Sequence, residues 1–254
     1  MASGKSVSDT LRAVFLQSYG TLNGPVTEKD AERLNSFPLR KHLAGHPEYL
    51  YLLFVPVYLL CFTLVERLVP PEGGYWVSWT PLDDRIPFFE SFVVPYCAWY
   101  PLLFGVGLEL LRSDVPGFKS YMHFLMLGFG FSLLFCLAFP NGQDLRPERF
   151  ARENLFTAVL RGIYAVDTNT NVFPSMHVVG CGAVLGSAFR AKGKLRRFRW
   201  AVLALCALIC ASTVLVKQHS VLDLVAGIAV CAPIDLYLYE KAGKKRLSPG
   251  LYDP

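Results

Sequence analysis

The chain has 254 residues, 53% of them apolar and only 18% charged, with a mean hydropathy of +0.35. A soluble domain carries about 25% charged residues, so this composition reads as an integral membrane protein, while 14% aromatics and the lack of a Gly-x-y period exclude disorder and collagen-like structure. The net charge of +5 lies between apolar runs rather than on one face, which argues for a basic cytoplasmic side and against nucleic acid as a partner.

In chain order, residues 1–47 read as a cytoplasmic segment. It holds a short amphipathic helix over 7–19 and a turn-rich linker at Gly24-Pro25. The helix either lies on the membrane surface or is a solvated leader. No apolar core of a signal peptide precedes residue 45. Residues 48–241 read as one membrane domain, and 242–254 as a cytoplasmic tail.

Six apolar stretches are candidate spans: 49–69, 91–111, 120–139, 174–189, 200–216 and 220–239. A crossing helix needs about 20 residues, so the fourth and fifth are short, as suits helices whose ends frame a polar cavity. Pro95 and Pro101 predict a kink in the second. Seven cysteines fall mostly inside these stretches, odd in number and without C-x-x-C spacing; they read as small buried hydrophobes rather than disulfides or zinc ligands.

Eighteen Lys and Arg fall on one side of this arrangement and seven on the other. Both termini are therefore expected in the cytoplasm, with the connections 70–90, 140–173 and 217–219 outside. The expectation is an all-α, six-helix, multi-pass membrane bundle with a polar site at the outer membrane face, most simply in the plasma membrane.

Polar groups inside spans are costly and need a reason. His123, His177, Asp223 and Asp235 stand out. His219 and Asp223 are spaced i, i+4, so on a helix they share a face. A carboxylate beside a histidine fixes its tautomer and supports positive charge on the ring. Arg146, in Pro140-Asn-Gly-Gln-Asp-Leu-Arg-Pro147, falls at the same end, and its planar fork matches phosphate oxygens. Ser175 joins them and is equally placed to cap the fourth span. The set suits phosphoryl transfer: one group attacks, one protonates the leaving oxygen and cations hold the remaining oxygens. His123 reads as structural, and Asp235 and Glu109 as reaching water or pairing with nearby cations. Asp167 and Asn169 are either loop polarity or headgroup contacts; Arg149 and Arg152 are either a solvated face or phosphate contacts.

The segment Val172-Phe-Pro-Ser-Met-His-Val178 resembles the P-S-G-H motif of the type 2 phosphatidic acid phosphatase (lipid phosphate phosphatase) superfamily. Ser212-Thr213-x5-His219-x3-Asp223 resembles its S-R-x5-H-x3-D motif, and Arg146-Pro147 the end of its K-x6-R-P motif. The resemblance implies a phosphohistidine at His219 supported by Asp223, with His177 as general acid and Arg146 and Ser175 on the phosphate. Three positions depart from the pattern: Phe139 stands where the first-motif Lys falls, Met176 for the glycine and Thr213 for the third-motif Arg. Lys217, or Arg149 and Arg152, are candidates to restore the charge. The Thr213 form and Lys217-Gln218-His219 bear a looser likeness to the inositol phosphorylceramide synthase-related branch. The expected function is a metal-independent lipid phosphatase without cofactors, acting on a membrane lipid phosphate or diphosphate. A headgroup phosphotransferase is the alternative, and a non-catalytic lipid-phosphate binder or transporter a more distant one.

Overall fold

The computed structural model describes residues 45–68 and 74–247, with side chains up to residue 238. Two compact units divide the chain, Met1–Leu50 and Tyr51–Pro254. In the first, the described residues hold the His46–Glu48 ion pair at 3.1 Å. The helix expected over 7–19 lies outside the described residues, as do the last seven of the tail.

The described residues of the second unit are mostly helical. The 3-10 segment Pro47–Leu53, which begins in the first unit, leads into α1 (Phe54–Leu68). Then come α2 (Val93–Cys97), α3 (Trp99–Ser113), α4 (Val115–Ala138), α5 (Leu155–Val166), α6 (Met176–Arg190), α7 (Gly193–Arg197), α8 (Arg199–Leu215) and α9 (Val221–Leu247). Among the described residues, four helical stretches are long and apolar enough to cross a membrane: Pro47–Leu68, Glu90–Ser113, Val115–Ala138 and Val221–Leu238. They coincide with the first, second, third and sixth expected spans.

The other two expected spans are α6 and α8, with 15 and 17 residues. At about 1.5 Å per residue, α6 is about 22 Å long, short of the roughly 30 Å hydrocarbon core. It is an interior helix, packed against α4, α8 and α9, and Val179, Ala183, Val184 and Ala188 are completely enclosed. Small residues make the closeness possible. A Cβ at Gly180 would come within 2.7 Å of Trp99 Nε1, and one at Gly227 within 2.8 Å of Val178 Cβ.

Several elements differ in detail from the expectation. The second span is disturbed at one residue between the two prolines: α2 ends at Cys97 and α3 begins at Trp99, while Ala98 keeps helical dihedrals, with its N–H on Val94 O at 3.1 Å. α4 starts five residues early because Asp114 caps it, accepting from Gly117 N at 3.0 Å, with Pro116 in the first turn. The connection expected over 140–173 contains a helix of its own, α5, opened by a reciprocal cap between Asn154 and Thr157. α9 continues past 241 to Leu247. All seven cysteines are free. His123 meets the Tyr51 hydroxyl at 3.2 Å, and Asp235 forms a two-pronged pair with Arg190 at 2.9 and 2.7 Å.

What positions the site is the stitching of three connections at one end of the bundle. β1 (Trp76–Val77) pairs in parallel with β2 (Asn141–Gly142), Trp76 opposite Asn141 and Val77 opposite Gly142. The segment before α6 joins from the other side through a bridge from Gly142 to Thr170 and the bonds Gln143 N–Asn169 O at 2.8 Å and Asn171 N–Asn141 O at 2.7 Å. Buried backbone groups must be paired, and this small ladder pairs them where the helices end.

Candidate active site

Two helix starts supply the histidines. α9 opens with a capping box: Ser220 Oγ accepts from Asp223 N at 3.3 Å, and Asp223 Oδ2 accepts from Ser220 N at 2.8 Å. The same carboxylate oxygen receives His219 Nδ1 at 3.2 Å. An ionised carboxylate only accepts, so Nδ1 carries the hydrogen of this bond and Nε2 is the ring nitrogen turned away from it. The Ser78 hydroxyl donates to Asp223 Oδ1 and lies 2.6 Å from Ser220 Oγ. One arrangement of hydrogens satisfies every atom: Asp223 N–H to Ser220, Ser220 O–H to Ser78, and Ser78 O–H back to the carboxylate. Ser78, Ser220 and Asp223 are fully buried, so the carboxylate is held rigidly behind His219.

The turn that carries His219 is braced from several directions. Gln218 N and His219 N both donate to Thr213 O, at 2.9 and 3.1 Å. Gln143 Nε2 donates to Lys217 O at 3.1 Å, and the Tyr164 hydroxyl to Val216 O at 2.5 Å. Lys217 has φ 54°, a left-handed conformation that few non-glycine residues adopt. Its ammonium donates to the carbonyls of Asp83 and Ile86 at 2.8 and 2.7 Å. Partial burial lowers its pKa against the opposing pull of Asp83 and Asp84.

His177 lies in the first turn of α6, its ring centroid 4.5 Å from both Tyr96 and Trp99. Trp99 Nε1 donates to its carbonyl at 3.1 Å. The His177 and His219 rings stand edge to face at 5.5 Å, and each residue keeps only 7% and 8% exposure. Ser175 occupies the N-cap position without a side-chain capping bond, while its N–H donates to Asp223 O at 3.1 Å. That bond ties the start of α6 directly to the first turn of α9.

Arg146 reaches in from the loop after β2. Its Nη2 donates to Asp167 O and Thr168 O at 2.8 and 2.7 Å, its Nη1 to Tyr164 O at 3.3 Å, and its guanidinium lies 4.5 Å from the Tyr164 ring centroid. Burial lowers its pKa, opposed by Asp167; a guanidinium stays charged regardless.

Five buried side-chain atoms have no hydrogen-bond partner among the described residues: Arg146 Nε, Ser175 Oγ, His177 Nε2, Asn171 Oδ1 and Gln218 Oε1. Unpaired buried polar groups are rare in folded proteins and call for an explanation. Three belong to residues singled out from the sequence. Those three with His219 and Asp223 form one connected neighbourhood, while Lys217 is committed to two main-chain carbonyls. Of the departing positions, Thr213 is buried with its hydroxyl on Cys210 O at 2.8 Å. Phe139 packs on Trp76 and Phe135, and Met176 Sδ accepts from the Tyr58 hydroxyl. Arg149 and Arg152 are exposed. Sequence reasoning missed Ser78, Tyr96 and Gln218; the Ser220-x-x-Asp223 capping pattern was the one local signal for this network. Among the described residues, no three His, Cys, Asp or Glu side chains gather as a metal-binding set.

A family model described as the PAP2 superfamily matches residues 125–246, which span Arg146, both histidines and Asp223. No curated protein and no solved structure matches the chain.

Proposed function

We propose that the chain, whose residues 125–246 match the PAP2 superfamily model, is a membrane lipid phosphatase working through a phosphohistidine at His219. The observation that carries this reading is a set of buried, unpaired polar atoms on the residues tied to the two histidines. Arg146 Nε, Ser175 Oγ and His177 Nε2 lack partners, and a phosphoryl group supplies oxygens for all three.

His219 Nε2 attacks phosphorus while Nδ1–H stays on Asp223, whose negative charge stabilises the imidazolium as it forms. His177, beside it, gives a proton to the leaving oxygen. Arg146, Ser175 and the N–H groups at the start of α6 hold the equatorial oxygens. Lys217 serves as a brace for the His219 turn. In this reading the work of a metal falls to these donors, so a chelator leaves turnover intact, and vanadate, which mimics a five-coordinate phosphorus, inhibits.

The proposal includes six crossings, α6 and α8 being the two short ones, with both termini cytoplasmic and the site at the outer face. A second reading, transfer of the group to an alcohol rather than to water, is favoured by one observation. Thr213 and Phe139 bring no charge and the Lys217 ammonium is held by two carbonyls, which leaves Arg146 as the cation assigned to the phosphate, enough for a singly charged phosphodiester. Purified protein assayed against a panel of lipid phosphates and diphosphates, with phosphate release and product mass both followed, tests the two together. Phosphate release supports the phosphatase, an alcohol-dependent phosphodiester product supports the transferase, and neither product from any substrate contradicts both.

A further inference from the structure

The unpaired atoms of the site differ in chemistry. Arg146 Nε, Ser175 Oγ and His177 Nε2 suit an anion. Gln218 Oε1 does not, because a carbonyl oxygen repels phosphate oxygens.

The orientation of Gln218 is fixed by its neighbours. Its Nε2 donates to Asp167 Oδ2 at 3.0 Å and to the Tyr96 hydroxyl at 3.3 Å. A flipped amide would set its oxygen against a carboxylate oxygen. Gln218 is only 2% exposed, so Oε1 is a buried acceptor without a donor. Asp167 adds a second acceptor. Its bonds from Gln218 and Tyr96, the latter at 3.3 Å, both fall on Oδ2, and Oδ1 takes none of them.

These acceptors belong to the same constellation as the histidines. Gln218 precedes His219, and both N–H groups are pinned on one carbonyl. Tyr96, which donates to Asp167, packs on the His177 ring. Arg146 donates to the Asp167 carbonyl. The site therefore has a donor half for an anion and an acceptor half for a group that brings its own hydrogen.

We propose that Asp167 and Gln218 form an acceptor subsite for a hydroxyl, and that Asp167 takes the proton of that hydroxyl as it attacks the phosphohistidine. The proposal rests on the phosphohistidine reading. In the step, the hydroxyl oxygen forms the new P–O bond and the P–Nε2 bond breaks. Its electron pair returns to His219, which leaves as neutral imidazole with Nδ1–H still on Asp223. The proton passes to the Asp167 carboxylate and from there to solvent. Water as the hydroxyl gives inorganic phosphate; an alcohol gives a phosphate ester.

The test follows label on the full-length protein in detergent, with radiolabelled phosphatidic acid and, as a lipid-independent probe, para-nitrophenyl phosphate. Samples are quenched in alkali, where phosphohistidine survives. Asp167→Asn keeps an acceptor oxygen for Tyr96 and Gln218 but removes the base. Label should form at an undiminished rate and decay about a hundredfold more slowly, so that the phosphoenzyme accumulates. Gln218→Met, which removes the second acceptor and leaves the carboxylate, should slow decay about tenfold. Adding glycerol or inositol separates the two sources of the hydroxyl: a labelled ester means that the subsite takes alcohols, and phosphate alone means that it takes water. Formation and decay slowed equally in both variants, or decay unchanged in both, overturns the subsite. A wild-type protein that turns over without ever carrying label contradicts the phosphohistidine instead.

Discussion

At Lys217 a left-handed backbone and a charged side chain serve one purpose. A non-glycine residue held at φ 54° costs about 1–3 kcal/mol, and the two bonds from its ammonium to Asp83 O and Ile86 O offset that cost while fixing the turn ahead of His219. Lys217→Ala should lower stability by about 1–3 kcal/mol and reduce kcat with little change in KM, measured by thermal unfolding and steady-state kinetics. A stable variant that binds substrate weakly would instead make Lys217 the phosphate ligand that the sequence pointed to. Asp167 carries a pH signature. Burial lifts its carboxyl above the ordinary range, against the pull of His219 and Arg146 and the Tyr96 bond. A carboxyl whose pKa is raised on folding contributes stability below its unfolded value, about 3.9, and loses it as pH rises through the folded value. Asp167→Asn should flatten that decline, read as melting temperature against pH; parallel wild-type and variant profiles would contradict it.

Among elements, what was legible in the sequence was what is local. The pairing of His219 with Asp223 follows from i, i+4 spacing alone, and four of the spans follow from length and apolarity. Ser78 was out of reach because it meets Asp223 across 145 positions, through a two-residue ladder with no periodicity to reveal it. The disturbance in the second span was legible in its two prolines, and packing decides that it falls at Ala98. α5 was overlooked because twelve residues inside a long connection look like loop, although Asn154 and Thr157 mark its start. The packing of α6 on α9 gives an element-scale prediction. A Cβ at Gly227 would stand 2.8 Å from Val178 Cβ and 3.0 Å from Ser175 O, neither of which moves freely. Gly227→Ala should destabilise by about 1–3 kcal/mol and lower kcat by parting Ser175 from Asp223. Unchanged melting and kinetics would show that the two helices tolerate separation there.

For the whole molecule, the site and the cation-rich connection fall at opposite ends of α6 and α8, since His177 opens one and Lys194 and Arg196 lie between them. With cations retained inside, a cysteine introduced at position 194 in a background free of the seven native ones should be shielded from an impermeant reagent in intact cells; labelling there would invert the topology. The chemistry assigned to the two site histidines is more exposed to test. It requires that His219 carry the phosphoryl group, because of those two it is the one with Nδ1 on a carboxylate. The direct measurement is peptide mass spectrometry of protein quenched in alkali during turnover of para-nitrophenyl phosphate or a lipid phosphate. A phosphoryl group on the His219 peptide, lost in acid and absent from an inactive His219→Ala, is the predicted result. A phosphoryl group on any other residue, or His219→Ala with full activity, would contradict it.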